Sequence, residues 1–145
     1  KHKRFTGQDN RRILDNLLLL AEKIRQNGNS TVLWIRTPVI PEATEREDNI
    51  KGIGRFIAEH LNGVAVRWEL CAFNNLCRDK YSRLGLEWRY AGKSLLSMQD
   101  MERIAAWARE SGVDAQIVSW SGGTRIDNGT AEIIRPIANA AVKPC

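Results

Sequence analysis

A strand, a helix and a second strand follow one another within residues 31–70, and this succession constrains the fold more than any other feature of the chain. Thr31–Ile40 is almost continuously apolar, as is typical of a strand covered on both faces. Val64–Leu70 alternates in polarity, the pattern of a strand with one apolar face. Because the turns between these elements are short, the segment predicts a right-handed βαβ unit with a parallel pair of strands.

The second strand runs directly into a polar loop. Its predicted apolar face holds Val64, Val66, Trp68 and Leu70. The opposite face carries Arg67, Glu69 and Cys71, and Asn74 follows in the loop. The carboxyl end of a strand is the usual place for a site in an α/β sheet or barrel, so a site is expected here.

Arg36 is a charged residue within the apolar first strand. A charge in such a position needs an ionic partner or a polar cavity. Two interpretations stay open: a salt bridge to a carboxylate such as Glu69 on the neighbouring strand, or a contact with a ligand.

The remaining pattern predicts a succession of helix, strand, helix, strand, helix and strand. The first helix has an apolar stripe formed by Ile13, Leu14, Leu17, Leu18, Ala21 and Ile24. Capping boxes at Thr44–Glu47 and Ser97–Asp100 begin the second and third helices, and Met98 and Met101 are expected on the inner face of the third. Ala115–Trp120 is the third strand, and a long connection spans Asn74–Leu96.

Three parallel strands cannot close an eight-stranded barrel, which takes about 250 residues. The pattern therefore predicts an α/β fold with an open parallel sheet over residues 1–121. Residues 122–145 are expected to form a C-terminal tail that includes a short helix over Thr130–Val142. The charged opening segment also suggests that the chain is a piece of a longer protein.

Composition restricts the class of protein. The chain has 145 residues, 43% apolar and 27% charged, which indicates one globular unit. The net charge of +5 has no interleaved aromatic stacking set beside it, so no nucleic-acid partner is expected. No apolar run is long enough for a membrane span, and secretion is not expected. The three cysteines, an odd number, suit a reducing cytoplasm.

Several segments together resemble the glycyl-radical-enzyme activating enzymes of the radical S-adenosylmethionine superfamily, the family that includes pyruvate formate-lyase activating enzyme. Residues 68–85 are similar to that family's Glu-Leu-Leu-Pro-Tyr-His strand end and its following Lys-Tyr-x-x-Leu-Gly, although Asn74 stands at the histidine position. Residues 34–41 resemble its Ile-Arg-x-Pro-Val-Ile-Pro-Gly strand, with Glu42 in place of the glycine, and residues 2–23 resemble its fourth-helix region. The resemblance implies that residues 1–121 form a parallel-stranded partial (β/α) barrel, the C-terminal half of a radical SAM barrel.

In the complete family, a 4Fe–4S cluster and S-adenosylmethionine generate a 5′-deoxyadenosyl radical, which removes a hydrogen atom from a glycine of a partner glycyl radical enzyme. The cluster is held by a C-x3-C-x2-C motif, and this sequence does not contain one. The resemblance therefore implies that this chain supplies part of the S-adenosylmethionine pocket and of the partner surface, without the cluster ligands, and is inactive alone.

The resemblance also assigns candidate cofactor-binding residues. Arg36 matches the fifth-strand arginine, Cys71 and Asn74 match the sixth-strand end near the adenine and ribose, and His2 matches a histidine after strand four. A surface histidine is the alternative for His2. The basic connection with Arg78, Lys80, Tyr81 and Arg83 is either a contact for the partner enzyme or a solvated loop.

Two alternatives remain at the level of function and metal binding. Cys71 and Cys77 form either an auxiliary iron or zinc site, or one buried and one loop thiol. The whole chain is either part of an activating enzyme or a non-catalytic half-barrel interaction module that self-associates through its open sheet edges.

Overall fold

The computed structural model describes residues 2–28 and 31–125, which form an α/β fold around one parallel sheet. The strands are β1 (Leu33–Val39), β2 (Ala65–Ala72) and β3 (Val118–Ser121), in the order β1-β2-β3. The helices described are α1 (His2–Thr6), α2 (Arg11–Gln26), α3 (Glu47–His60), α4 (Arg78–Arg83) and α5 (Met98–Arg109). Both strand pairs are parallel, which confirms the predicted α/β class and the βαβ unit; the assignment of this sheet to a partial barrel stays a prediction.

The core lies on one side of the sheet, where α3 and α5 contact each other. Ile50 and Ile57 of α3 and Met101 and Ile104 of α5 are almost fully buried. Trp68 of β2 is also fully buried, and its indole Nε1–H donates a hydrogen bond of 3.0 Å to the hydroxyl of Thr37 in β1. The buried indole and its hydrogen bond to Thr37 hold β1 and β2 together on the core side of the sheet.

Gly54 permits the close approach of α3 to the core. A Cβ placed there would overlap the side chain of Ser111 and lie 3.0 Å from the ring of Trp68. A glycine is therefore required by space rather than by backbone conformation.

Strand β1 is covered on one face, so the prediction that both of its faces are buried is wrong. Its residues alternate between exposed and more buried, and Trp34 is 51% exposed. Val66 was expected on the apolar face of β2, but it is also 51% exposed. The register shifts at this point, from Leu33 opposite Ala65 to Trp34 opposite Arg67, so that Val66 is an extra residue and loses its place on the core face.

The predicted apolar stripe of α2 is only partly buried. Ala21 and Ile24 lie in the core, whereas Ile13 is 56% exposed, because only the carboxyl-terminal half of the helix packs against the core. The opening segment forms the short helix α1, and α4 lies within the long connection; neither helix was predicted.

The two predicted capping boxes have different outcomes. Ser97 and Asp100 form the capping box of α5 as predicted. At α3 the N-cap is Arg46, and the hydroxyl of Thr44 instead bonds within the preceding turn, accepting from the backbone N–H of Ile40 at 2.8 Å. Met98 is 44% exposed, contrary to expectation, since it opens α5 outside the core.

The predicted boundary of the tail stays a prediction. The backbone N–H of Arg125 donates to the carbonyl of Leu96 at 2.9 Å, which ties the last described residue beside the start of α5. The helix predicted over Thr130–Val142 lies outside the described residues. Within the part of the chain that is described, none of the helices has both the length and the apolarity to cross a membrane.

Candidate functional site

The candidate site lies on the side of the sheet opposite the core. Register places Arg36, Glu69 and Ser119 side by side across the three strands, and Pro38, Cys71 and Ser121 in the next such row. Side chains two residues apart on a strand share a face. We call this surface the polar face, and it comprises Trp34, Arg36, Arg67, Glu69, Cys71, Ser119 and Ser121.

Glu69 is at the centre of the polar face. Arg36 Nε donates to Glu69 Oε2 at 2.7 Å, and Arg67 Nη2 lies 3.4 Å from Glu69 Oε1. The residue is only 7% exposed. The ion pair confirms the first of the two interpretations of Arg36, a salt bridge to Glu69.

The electrostatics of this cluster keep Glu69 ionised. Burial by itself would raise its pKa, but the hydrogen bonds from Ser121 and Arg36 and the positive charges of Arg36 and Arg67 outweigh burial and hold the pKa below its ordinary value. The hydrogen bond to Glu69 correspondingly raises the pKa of the Arg36 guanidinium. Two guanidinium groups on one carboxylate leave the cluster with a net positive charge, which suits an anionic group of a ligand.

Arg36 combines a fixed position with access to solvent. Its Nε–H is engaged by Glu69, yet 63% of its side chain is exposed. The Cys71 thiol lies close enough to interact with the guanidinium. The structure thus brings together two of the residues that the sequence singled out.

Asn74 lies just beyond the carboxyl end of β2, where it is exposed. Its Oδ1 accepts a hydrogen bond of 3.2 Å from the backbone N–H of Leu76, an Asx turn that begins the following connection. Next to it, Phe73 is buried and stacks on Trp88 with ring centroids 5.9 Å apart. This contact attaches the connection to the strand end beside the polar face.

His2 forms its hydrogen bonds within its own segment. Its Nδ1 lies 2.9 Å from the carbonyl of Gln8 and 3.1 Å from the hydroxyl of Thr6. Among the contacts of the described residues, none of the hydrogen bonds of His2 reaches the polar face. Its assignment as a binding residue stays a prediction.

Within residues 2–28 and 31–125, no group of three or more His, Cys, Asp or Glu side chains is placed to hold a metal ion. Cys71 is half-buried and Cys77 is exposed, and both are free thiols. The third cysteine, Cys145, lies outside the described residues. The described part of the chain therefore does not fit an iron–sulfur cluster.

Ser119 and Ser121 of the polar face were not recognised as site residues from sequence. Arg67 Nε donates to the hydroxyl of Ser119 at 3.0 Å, and Ser121 hydrogen-bonds Glu69. The alternation of serine with larger residues along the third strand was the available signal. It does not show which residues of the neighbouring strand those serines stand opposite. Their convergence on Glu69 depends on which residues stand opposite one another in the sheet.

Comparison with curated proteins shows sequence similarity over much of this chain. The chain is 32% identical over 114 residues to an indoleacetate decarboxylase activating enzyme of Tractidigestivibacter scatoligenes, covering 78% of this chain and 33% of that protein. It is 28% identical over 115 residues to a choline trimethylamine-lyase activating enzyme of Oleidesulfovibrio alaskensis, 76% of this chain and 34% of that protein. A (2S)-3-sulfopropanediol dehydratase activating enzyme of Klebsiella oxytoca matches at 33% identity over 88 residues, 61% and 26% respectively.

These relatives are all activating enzymes, as the sequence motifs predict. This similarity supports the assignment of the chain to the family of glycyl-radical-enzyme activating enzymes, in the radical S-adenosylmethionine superfamily. No protein-family profile matches it. The matched part covers from 26% to 34% of the length of the three relatives named above.

Proposed function

We propose that this chain is part of a radical S-adenosylmethionine activating enzyme, which generates a glycyl radical on a partner enzyme, and that its polar face forms one wall of the S-adenosylmethionine pocket. The proposal rests on the position of Arg36. Its guanidinium is held by the buried carboxylate of Glu69, yet 63% of its side chain is exposed. The similarity to activating enzymes supports the reaction class.

The donors of the polar face, together with Asn74 beyond the end of β2, fit the polar groups of S-adenosylmethionine. Arg36 is suited to the carboxylate of the ligand by charge and by its forked geometry. Asn74 offers an amide that donates and accepts hydrogen bonds, which suits the adenine and ribose, and unlike the family's histidine it does not titrate near neutral pH. The backbone at Cys71 lies at the same strand end.

S-adenosylmethionine, together with a 4Fe–4S cluster held outside the described residues, would supply hydrogen-atom abstraction. The residues of this chain bind and orient the ligand and shield one side of it from water. Because the described residues contain no ligand set for the cluster, no electron-transfer step is assigned to them.

The segment after β2 is proposed as part of the surface for the partner glycyl radical enzyme. It carries Lys80 and Arg83 in α4, and Leu76 and Leu84 are 81% and 61% exposed. Arg78 Nη2 donates to the carbonyl of Ala91 at 3.0 Å, which closes the segment into a compact loop. A preformed basic and apolar surface of this kind suits a protein partner.

The test is a titration of the isotopically labelled chain with S-adenosylmethionine, followed by NMR. We expect saturable shifts at Arg36 and Asn74 in wild type, and loss of the shift at Asn74 in Arg36→Met. Arg103→Met is the matched control, since Arg103 also makes an ion pair, with Asp100 at 2.8 Å, but lies on α5. Equal binding by wild type and Arg36→Met would refute the proposed role of Arg36.

A second candidate function is a non-catalytic module that associates through its sheet edges. β1 and β3 each pair with a single strand among the described residues, and Trp34 and Val66 expose apolar surface near β1. Sedimentation at micromolar concentration separates the two functions. A monomer excludes the self-association module, whereas a dimer that Val66→Lys disrupts supports it.

A further inference from the structure

We propose that Arg67 is a positioning residue of the polar face: it holds Glu69 in the orientation that aims Arg36 at the ligand. The identity of the ligand as S-adenosylmethionine rests on the proposed function above. The positioning itself rests on contacts between three strands and does not depend on which anion Arg36 meets.

The contacts form a continuous chain across the sheet. Ser119 of β3 accepts from Arg67 Nε at 3.0 Å, and Arg67 Nη2 reaches Glu69 Oε1 at 3.4 Å. The other carboxylate oxygen, Glu69 Oε2, accepts from Arg36 Nε at 2.7 Å. Arg67 and Arg36 therefore hold opposite oxygens of one carboxylate, and the rotation of that carboxylate is restricted from both sides.

Trp34 restricts Arg67 in turn. The guanidinium of Arg67 lies over the indole ring at 4.9 Å from its centroid. Stacking on an aromatic face while donating from two nitrogens requires the planar fork of arginine, which a lysine ammonium does not provide. Arg67→Lys therefore keeps the positive charge but removes the planar group that stacks on Trp34 and donates from two nitrogens.

The test uses the 145-residue chain and four variants: Arg67→Met, Arg67→Lys, Ser119→Ala and the control Arg103→Met. Arg103 is matched because it too is ion-paired and lies over an aromatic ring, Trp107, at 5.6 Å. Two quantities are measured by NMR: the hydrogen-exchange rate of the Arg36 Nε–H and the titration midpoint of the Glu69 carboxyl group. Affinity for S-adenosylmethionine is measured separately on the same samples.

We expect exchange at Arg36 to accelerate about fivefold in Arg67→Met, the equivalent of one ordinary hydrogen bond, and the Glu69 midpoint to rise. Arg67→Lys is expected to keep the midpoint near that of wild type, because the charge is retained, but to show the faster exchange. Ser119→Ala should accelerate exchange without removing a charge. Arg103→Met should change neither quantity.

Exchange at Arg36 within about twofold of wild type in Arg67→Lys and Ser119→Ala would overturn the proposal. These two variants decide the matter even where circular dichroism shows that Arg67→Met is unfolded. Failure of the wild-type chain to bind S-adenosylmethionine would remove the proposed function and leave the exchange result as the test of positioning. Tight binding by wild type with unchanged exchange in both variants would remove the positioning role alone.

Discussion

At the scale of single residues, the polar face depends on one buried carboxylate. Glu69 accepts from Arg36 on a neighbouring strand and lies beside Arg67 on its own strand. An isolated charge at 7% exposure would be unfavourable, so these partners are what allow an acidic residue at the centre of the sheet. The carboxylate in turn keeps two like-charged guanidinium groups close together.

Glu69→Gln is expected to reduce the free energy of unfolding by about 1–3 kcal/mol at neutral pH, because charge-assisted hydrogen bonds become ordinary ones. The folded-state pKa of Glu69 lies below the ordinary value of 4.5. The carboxylate therefore contributes its stabilisation above that pH, and the contribution disappears as the pH falls through the lower folded-state pKa.

Urea denaturation of wild type and Glu69→Gln across an acidic pH series measures this directly. The difference between the two proteins should be largest above about pH 5 and should vanish in stronger acid. Comparing the two proteins at each pH cancels the titration of other acids such as Asp100, whose pKa is also lowered, chiefly by its hydrogen bonds with Ser97. A difference that is constant with pH would show that Glu69 does not contribute through its charge.

At the scale of elements, the sequence predicted β2 best because alternation is a local property. Trp68 and Leu70 are buried and Glu69 faces Arg36, as the pattern indicates. Val66 departs from the pattern because a shift in pairing with β1 is a property of two strands together. Ser119 and Ser121 were not foreseen for a similar reason, because their places beside Glu69 and Cys71 depend on how β3 pairs with β2. The pair of Arg36 and Glu69 was foreseen because a charge within an apolar strand needs a partner on a neighbouring strand.

The faces of β1 and α2 were harder to predict, because burial depends on what packs against an apolar residue. Trp34 and Ile13 are as apolar as core residues but remain 51% and 56% exposed. Apolarity shows that a residue can be buried, but it does not show that a neighbour covers it. The helix α4 was missed because its six residues are too short for a periodic pattern.

Packing between α3 and the core gives a prediction with a built-in control. Gly54→Ala is expected to lower the free energy of unfolding by about 1–3 kcal/mol, because its Cβ overlaps Ser111 and presses on Trp68. Gly52→Ala, in the same helix, has only Arg55 Nη2 nearby, at 3.9 Å, and should stabilise the protein by up to about 1 kcal/mol.

Thermal or urea unfolding of the two alanine variants checks this pair. Opposite signs would confirm that space at residue 54, rather than helix propensity, decides the choice of glycine. Stabilisation by both substitutions would mean that the contact between α3 and Ser111 relaxes readily.

At the scale of the whole molecule, helices cover one face of the sheet and a charged network occupies the other. The matched region spans a third or less of the length of two of the relatives, so the pocket that we propose needs more walls than this chain supplies. The ligand pocket that we propose on the polar face would explain why Arg36 is exposed although its strand is apolar.

The absence of a C-x3-C-x2-C motif from the 145 residues gives a prediction at this scale. After iron–sulfur reconstitution and reduction, the chain by itself should form no 5′-deoxyadenosine from S-adenosylmethionine. Chromatography with mass detection measures the product, and a relative with the complete motif is the positive control. Formation of 5′-deoxyadenosine by this chain would show that our assignment of the missing cluster ligands is wrong.

The central claim, that Arg36 meets the carboxylate of S-adenosylmethionine, is tested most directly by comparing two ligands on two proteins. Calorimetric titration gives the affinities of wild type and Arg36→Met for S-adenosylmethionine and for its decarboxylated analogue. We predict that wild type prefers the carboxylated ligand by about tenfold or more, the value of one charge-assisted pair, and that Arg36→Met loses this preference. An equal preference in both proteins would contradict the claim and leave Arg36 with its structural role beside Glu69.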